Sequence, residues 1–165
     1  ILKSYVGFFD PFAELVQNAM DAVEARKREL NDGTIQHISI AIDLRDNSVT
    51  VTDRGVGFKK DQFKTFLCPN ISFKDGMLTR GRKGVGATYL AYGFNHLKLG
   101  TRTPDFGMVA EIRDGRKWLD DTRGIATRPK VSEIVDEGKC LAEVDRGSSF
   151  TLWVGGDNTR PKDLK

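Results

Sequence analysis

Between Asp10 and Leu44 the apolar residues change period once, from about 3.6 to 2, and that switch limits the fold more than any other feature of the chain. Asp10-Pro11 reads as a helix start, a capping side chain followed by a residue whose fixed φ suits the first turn. Phe12, Leu15, Val16, Ala19, Ala22 and Val23 then recur at helical spacing, and the pattern stops before Asn31-Asp32-Gly33. Beyond that stop Ile38, Ile40, Ile42 and Leu44 alternate. Arg45-Asp46-Asn47 turns the chain, and Val49 and Val51 resume the alternation, which predicts a hairpin. A Lys-rich stretch from Phe58 to Leu67 reads as a short helix, residues 68 to 83 as an aperiodic loop, and the run from Gly84 through Ala87, Leu90, Ala91 and Phe94 as a second buried helix. Strands are predicted around residues 97–101, 107–112, 139–144 and 150–154. Helices early and antiparallel strands late point to an α+β, two-layer α/β sandwich, with helices over one face of a mixed, mostly antiparallel sheet.

The composition permits this. The chain has 165 residues, a net charge of +3 and 39% hydrophobic residues, which fits one domain over residues 1–165 with a single core. The balanced charge excludes a disordered tail and a polybasic DNA-coating protein. No apolar run nears the roughly 18 residues of a membrane span, and the start lacks a signal-like pattern, so the reading is intracellular, cytoplasmic or nuclear, with no membrane partner. Cys68 and Cys140 stand in unrelated contexts and imply neither a disulfide framework nor a zinc site. A start without Met and a polar NTRPKDLK ending lead us to expect a segment of something longer.

Three patterns carry chemistry. On the first helix Glu14, Asn18 and Asp21 fall within a stripe about 60° wide, with Leu15, Ala19, Ala22 and Val23 turned away. A carboxylate can take a proton from water, and an amide oxygen beside a carboxylate can hold Mg²⁺; a solvated helix face presents the same residue types. Asp53-Arg54-Gly55-Val56-Gly57 follows the second hairpin strand, where glycines let backbone approach a ligand closely, or simply turn the chain. Gly81-Arg82-Lys83-Gly84-Val85-Gly86 opens the second helix, where exposed amides and the helix dipole favour an anion. Lys59 to Lys83 holds seven basic residues against two acids, a sign that suits a polyphosphate. The glycine order does not match a dinucleotide-binding fingerprint, and Gly84 is not followed by Lys-Ser/Thr as in a P-loop. Phe8, Phe9, Phe12, Trp118 and Trp153 read as core or interface residues rather than base-stacking platforms.

In this order, ELVQNAMDA (residues 14–22), Asp53 to Gly57, Gly81 to Gly86 and then Gly147-Ser148 before the strand at 150–154, the motifs closely resemble those of the GHKL ATPase superfamily: gyrase B subunits, heat-shock ninety chaperones, histidine kinases and MutL. The resemblance covers nearly the whole chain, with Ser148 where the family's motif has Thr. It implies the Bergerat nucleotide-binding fold, with ATP and Mg²⁺ as cofactors. Glu14 matches the general base for the attacking water, and Asn18 the Mg²⁺ ligand. Asp21 and Ala22 belong to the pocket-facing side of the same helix. Asp53 matches the acceptor of adenine's exocyclic amine, with Ser148 assisting, and Gly55 and Gly57 would leave room for the base. Gly81, Gly84 and Gly86, with Val85 between them, match the phosphate-binding hinge of an ATP lid spanning residues 68 to 83, where Lys83 and Lys74 read either as added charge for the phosphates or as plain solvated surface.

Glu14 further resembles the hydrolytic branches, since histidine kinases generally carry Asn there. The wording of the motifs is similar to topoisomerase B-type, MutL and MORC-like members, in which ATP clamps two protomers, frequently around DNA. The expected function is therefore Mg-dependent ATP hydrolysis driving lid closure and ATP-gated change in a larger machine. Its partners would be attached domains, an ATP-dependent second protomer and, through the full-length protein, DNA. The competing expectation is an ATP-sensing interaction module with negligible hydrolysis.

Overall fold

The first helix forms where the periodicity places it. In the computed structural model, which describes residues 9–31, 33, 35–66, 90–135, 140–141 and 144–155, α1 runs Asp10–Leu30 and ends on Asn31 in the left-handed region (φ 42°). Its N-cap is Phe9, however. Asp10 is the first helical residue, and supplies negative charge to the first turn where a capping side chain was expected. Phe9 itself is exposed and is therefore not part of the core.

β1 (Ile38–Asp43) and β2 (Ser48–Asp53) make the expected hairpin. Its turn is held by Asp43 Oδ1, which accepts the amides of Arg45 and Asp46 at 2.8 and 3.0 Å, while Asn47 takes φ 49°. α2 is Lys60–Thr65, and residues 90–93 are helical. β3 (His96–Thr103), β4 (Phe106–Arg113) and β6 (Gly147–Trp153) lie where alternation predicts strands. Two elements escaped prediction: α3 (Gly115–Asp120), anchored by the Arg116 and Asp114 amides on the Phe94 and Asn95 carbonyls, and β5 (Val131–Glu133), too short to show a period.

The sheet has six strands in the order β1-β2-β6-β3-β4-β5, and the chain is thus α+β with an open sheet and helices. The expectation of a mixed sheet is corrected: every described ladder is antiparallel. The strand predicted at residues 139–144 is also absent among the described residues, because Cys140 and Leu141 form a turn. They lie across Gly100, where an added Cβ would meet Cys140 Sγ at 3.0 Å and Leu141 Cδ1 at 3.1 Å. Arg102 Nη1 pins the segment by donating to the carbonyls of Leu141 (2.8 Å) and Val144 (3.0 Å). The chain caps the sheet there instead of extending it.

Residues opposite one another in an antiparallel ladder share a face. Val51, Phe150, Leu99 and Ala110 form one apolar rung, and Leu152, Leu97 and Ile112 another. Leu15 and Ala19 of α1, Phe63 of α2, and Leu90, Ala91 and Phe94 close over them as one core. The opposite face is polar: Thr50 pairs with Thr151 and Thr52 with Ser149 through their hydroxyls, at 2.9 and 2.8 Å. Trp153 stacks on His96 with 3.7 Å between ring centroids, and Trp118 packs on Tyr92 at 5.6 Å, so both tryptophans serve internal packing. Phe8 and Cys68 lie outside the described residues, and Cys140 is a free thiol. No helix among the described residues is long and apolar enough to cross a membrane. Leu152 is fully buried in the central strand, so Leu152→Ala should lower the unfolding free energy by about 2 to 5 kcal/mol in a denaturant titration.

Candidate functional site

The apolar rungs end in a polar one. Two residues beyond Val51, Phe150 and Leu99, the same alternation brings Asp53, Ser148 and Thr101 side by side at one end of three adjacent strands. All three are buried, at 4%, 3% and 1% exposure. Thr101 Oγ1 accepts the Phe58 amide at 2.7 Å and donates to the Gly147 carbonyl at 3.3 Å. Asp53 Oδ1 accepts the Gly55 amide at 2.8 Å. Burial pushes the Asp53 carboxyl up to about 7, against the Gly55 and Ser148 amides, which pull it down. No cation among the described residues takes part in that balance.

The loop leaving Asp53 docks on α1, and the glycines explain how. A Cβ on Gly55 would meet the Ala22 carbonyl carbon and Cβ at 2.6 Å, and the Val56 amide donates to the Ala22 carbonyl at 3.2 Å. Gly57 has φ 67° and faces the Arg102 carbonyl, while Gly147, at φ 149°, abuts the Asp53 carbonyl. Each glycine therefore has an intramolecular reason to be glycine.

Arg26, one turn beyond Ala22, ties these ends together. Its buried guanidinium donates to the carbonyls of Arg54 (3.2 Å) and Arg146 (3.4 Å) and bonds the Asp145 carboxylate at 3.1 Å, holding that carboxyl below its usual range. It thereby spans the exit of β2 and the entrance to β6. Sequence analysis overlooked Arg26 and Thr101. Each carried a legible signal: Arg26 interrupts the apolar side of α1, and Thr101 continues the core-facing alternation of Leu97 and Leu99.

The polar stripe of α1 lies beside this loop. Asp21 is buried and Glu14 and Asn18 are half-buried, while the exposed positions of α1 are Ala13, Glu24 and Lys27 to Leu30. A stripe turned away from the core was expected. Docking of the 54–57 loop on Ala22 instead rolls the stripe to the flank of the buried side, and leaves Ala22 half-buried rather than core. The structure thus gathers Asp53, Ser148, Gly55 and Ala22, and places Asn18 and Asp21 within a turn of the docking point. Gly81, Lys83, Gly84, Val85 and Gly86, with Lys74 and the expected lid at 68 to 83, lie outside the described residues. Among the described residues no group of three or more His, Cys, Asp or Glu could hold a metal ion. Compared with known proteins, the chain matches no family model and no curated protein.

The raised Asp53 carboxyl links stability to pH. The folded state keeps its proton up to about pH 7, whereas the unfolded chain releases it near 3.9. The folded state binds the extra proton in that window, so stability falls as pH rises from about 4 to about 7, at no more than about 1.4 kcal/mol per pH unit. Asp53→Asn should remove this slope, seen as a diverging difference between the two unfolding free energies across that range. Arg26→Met should cost about 2 to 4 kcal/mol by orphaning the part-buried carbonyls, read by thermal and denaturant unfolding.

Proposed function

We propose that this chain is a Mg-dependent ATP-binding and ATP-hydrolysing module with the Bergerat arrangement, acting as the nucleotide-gated part of a longer protein. The observation that carries this reading is the buried Asp53 carboxyl, bonded among the described residues by backbone amides and lying on one rung with Ser148. A cation near it would hold the carboxyl low. A carboxyl kept high by burial suits a neutral N–H donor, which is what adenine's exocyclic amine offers, and Ser148 supplies a second polar group on that rung. The docked loop sets this rung beside the α1 flank that carries the remaining groups.

On that flank Asn18 offers Mg²⁺ a hard amide oxygen. When bound, Mg²⁺ neutralises charge on the phosphates. Glu14 orients the attacking water and takes its proton, and Asp21 and Ala22 fix the helix against the loop. The phosphates fall to Gly81, Lys83, Gly84, Val85 and Gly86. ATP closure of a second protomer, and DNA held by the full-length protein, extend the same reading.

Calorimetry tests the base pocket. Asp53→Asn should weaken ATP binding by about 1.5 to 3 kcal/mol, the cost of a hydrogen bond to a charged partner. Binding to the parent chain below pH 7 should release protons, detected as a buffer-dependent heat. Unchanged affinity in a folded Asp53→Asn protein overturns the assignment. Glu14→Ala separates chemistry from binding: affinity should stay within a few fold and turnover should drop by about 10² to 10⁴ fold in the full-length protein. Binding without turnover in the unmutated full-length protein would select the sensing module instead.

A further inference from the structure

The sheet's β1 edge lies apart from the polar rung and has chemistry of its own. Among the described residues β1 pairs only with β2. The Arg54 amide donates to the His37 carbonyl, so His37, Ser39, Ala41 and Asp43 turn their peptide groups toward β2. By alternation Ile38, Ile40 and Ile42 turn theirs outward. The side chains of Ile40 and Ile42 stand opposite Val51 and Val49, on the helix face of the sheet, yet α1 leaves them 54% and 67% exposed. β1 has no Lys, no Pro and no bulge to guard its edge, and its one charged residue, Asp43, stands at the end of the strand.

We infer that β1 pairs with β1 of a second copy of this chain, antiparallel about a two-fold axis through Ile40, joining two sheets into one without nucleotide. In that register the outward peptide groups of Ile40 meet those of its counterpart, and Ile38 meets Ile42. The three isoleucines of each strand then form one apolar row on the helix face, flanked by the exposed Leu44. Side-chain pairing selects the register, because an imidazole can donate to a carboxylate in either protonation state but can accept from a guanidinium only when neutral. Centred on Ile40, His37 stands opposite Asp43 of the second copy at both ends of the ladder; centred on Ala41, it stands opposite Arg45. The axis is normal to the sheet, so both helix layers stay on one side of the joined sheet.

Sedimentation velocity on this chain, without ATP or Mg²⁺, reads the outcome directly. The expected result is a reversible, concentration-dependent dimer, with hydrogen exchange at the outward amides of Ile38, Ile40 and Ile42 slowing as concentration rises. Ile40→Lys sets two like charges face to face on the axis and removes apolar area. It should raise the dissociation constant by about tenfold or more and leave the melting temperature of the half-exposed site little changed. His37→Asp, at an exposed position, should weaken the dimer by opposing Asp43, and serves if Ile40→Lys does not fold. A monomer at every concentration, a dimer indifferent to both substitutions, or protection at another strand overturns the inference. A dimer that appears only with ATP also overturns it and leaves the proposed nucleotide function standing; a nucleotide-free dimer that fails to bind ATP does the reverse.

Discussion

One guanidinium holds the working end of this sheet. Arg26 reaches from α1 to the Arg54 and Arg146 carbonyls, just past the end of β2 and just before the start of β6, so the positions of Asp53 and Ser148 relative to the helix depend on it. Burying a cation is costly unless its donors are used. Here they meet two carbonyls and the half of a carboxylate that water still reaches, since Asp145 is 69% exposed. That arrangement is cheaper than a fully buried pair, because only one of the two ions loses its water. The tie is also directional: a planar fork fixes the spacing of two chain segments, which a Lys could not do.

The glycines next to this tie have a second meaning. Room for a ligand and room for the chain itself are different demands, and Gly55 and Gly147 answer the latter, one against Ala22 and the other against the Asp53 carbonyl. A pattern such as Asp-x-Gly-x-Gly therefore marks a place where helix, loop and strand come within backbone contact. A ligand can use such a place because its walls are rigid main chain. The pattern alone does not say whether one does.

How much of this could be read beforehand depended on whether the cause was local. α1 and the β1–β2 hairpin follow from periodicity and turn chemistry within a few residues, and both formed at the expected positions. Asp53 stood out as a residue at a strand end, but its burial comes from β6, about a hundred residues away, and no local pattern encodes that. The turn at Cys140 and Leu141 failed for the same reason. Its residues look like a strand, and only the demand of Arg102 for carbonyl partners and the bare surface of Gly100 make them a cap. The roll of α1 that brings Asp21 into the interior is likewise a product of loop docking rather than of helical periodicity.

The strand order also governs how the chain can assemble. β6 is last in sequence yet sits between β2 and β3, and its hydroxyl bond from Thr151 to Thr50 joins positions 101 apart. Until that strand arrives, the hairpin and the β3–β4 pair have no ladder in common, and Val51 and Leu99 have no neighbour on the rung between them. Loop closure over such a span is slow. Among the described strands the sheet is therefore continuous only once β6 has inserted between the two hairpins, whatever the order in which the other strands pair.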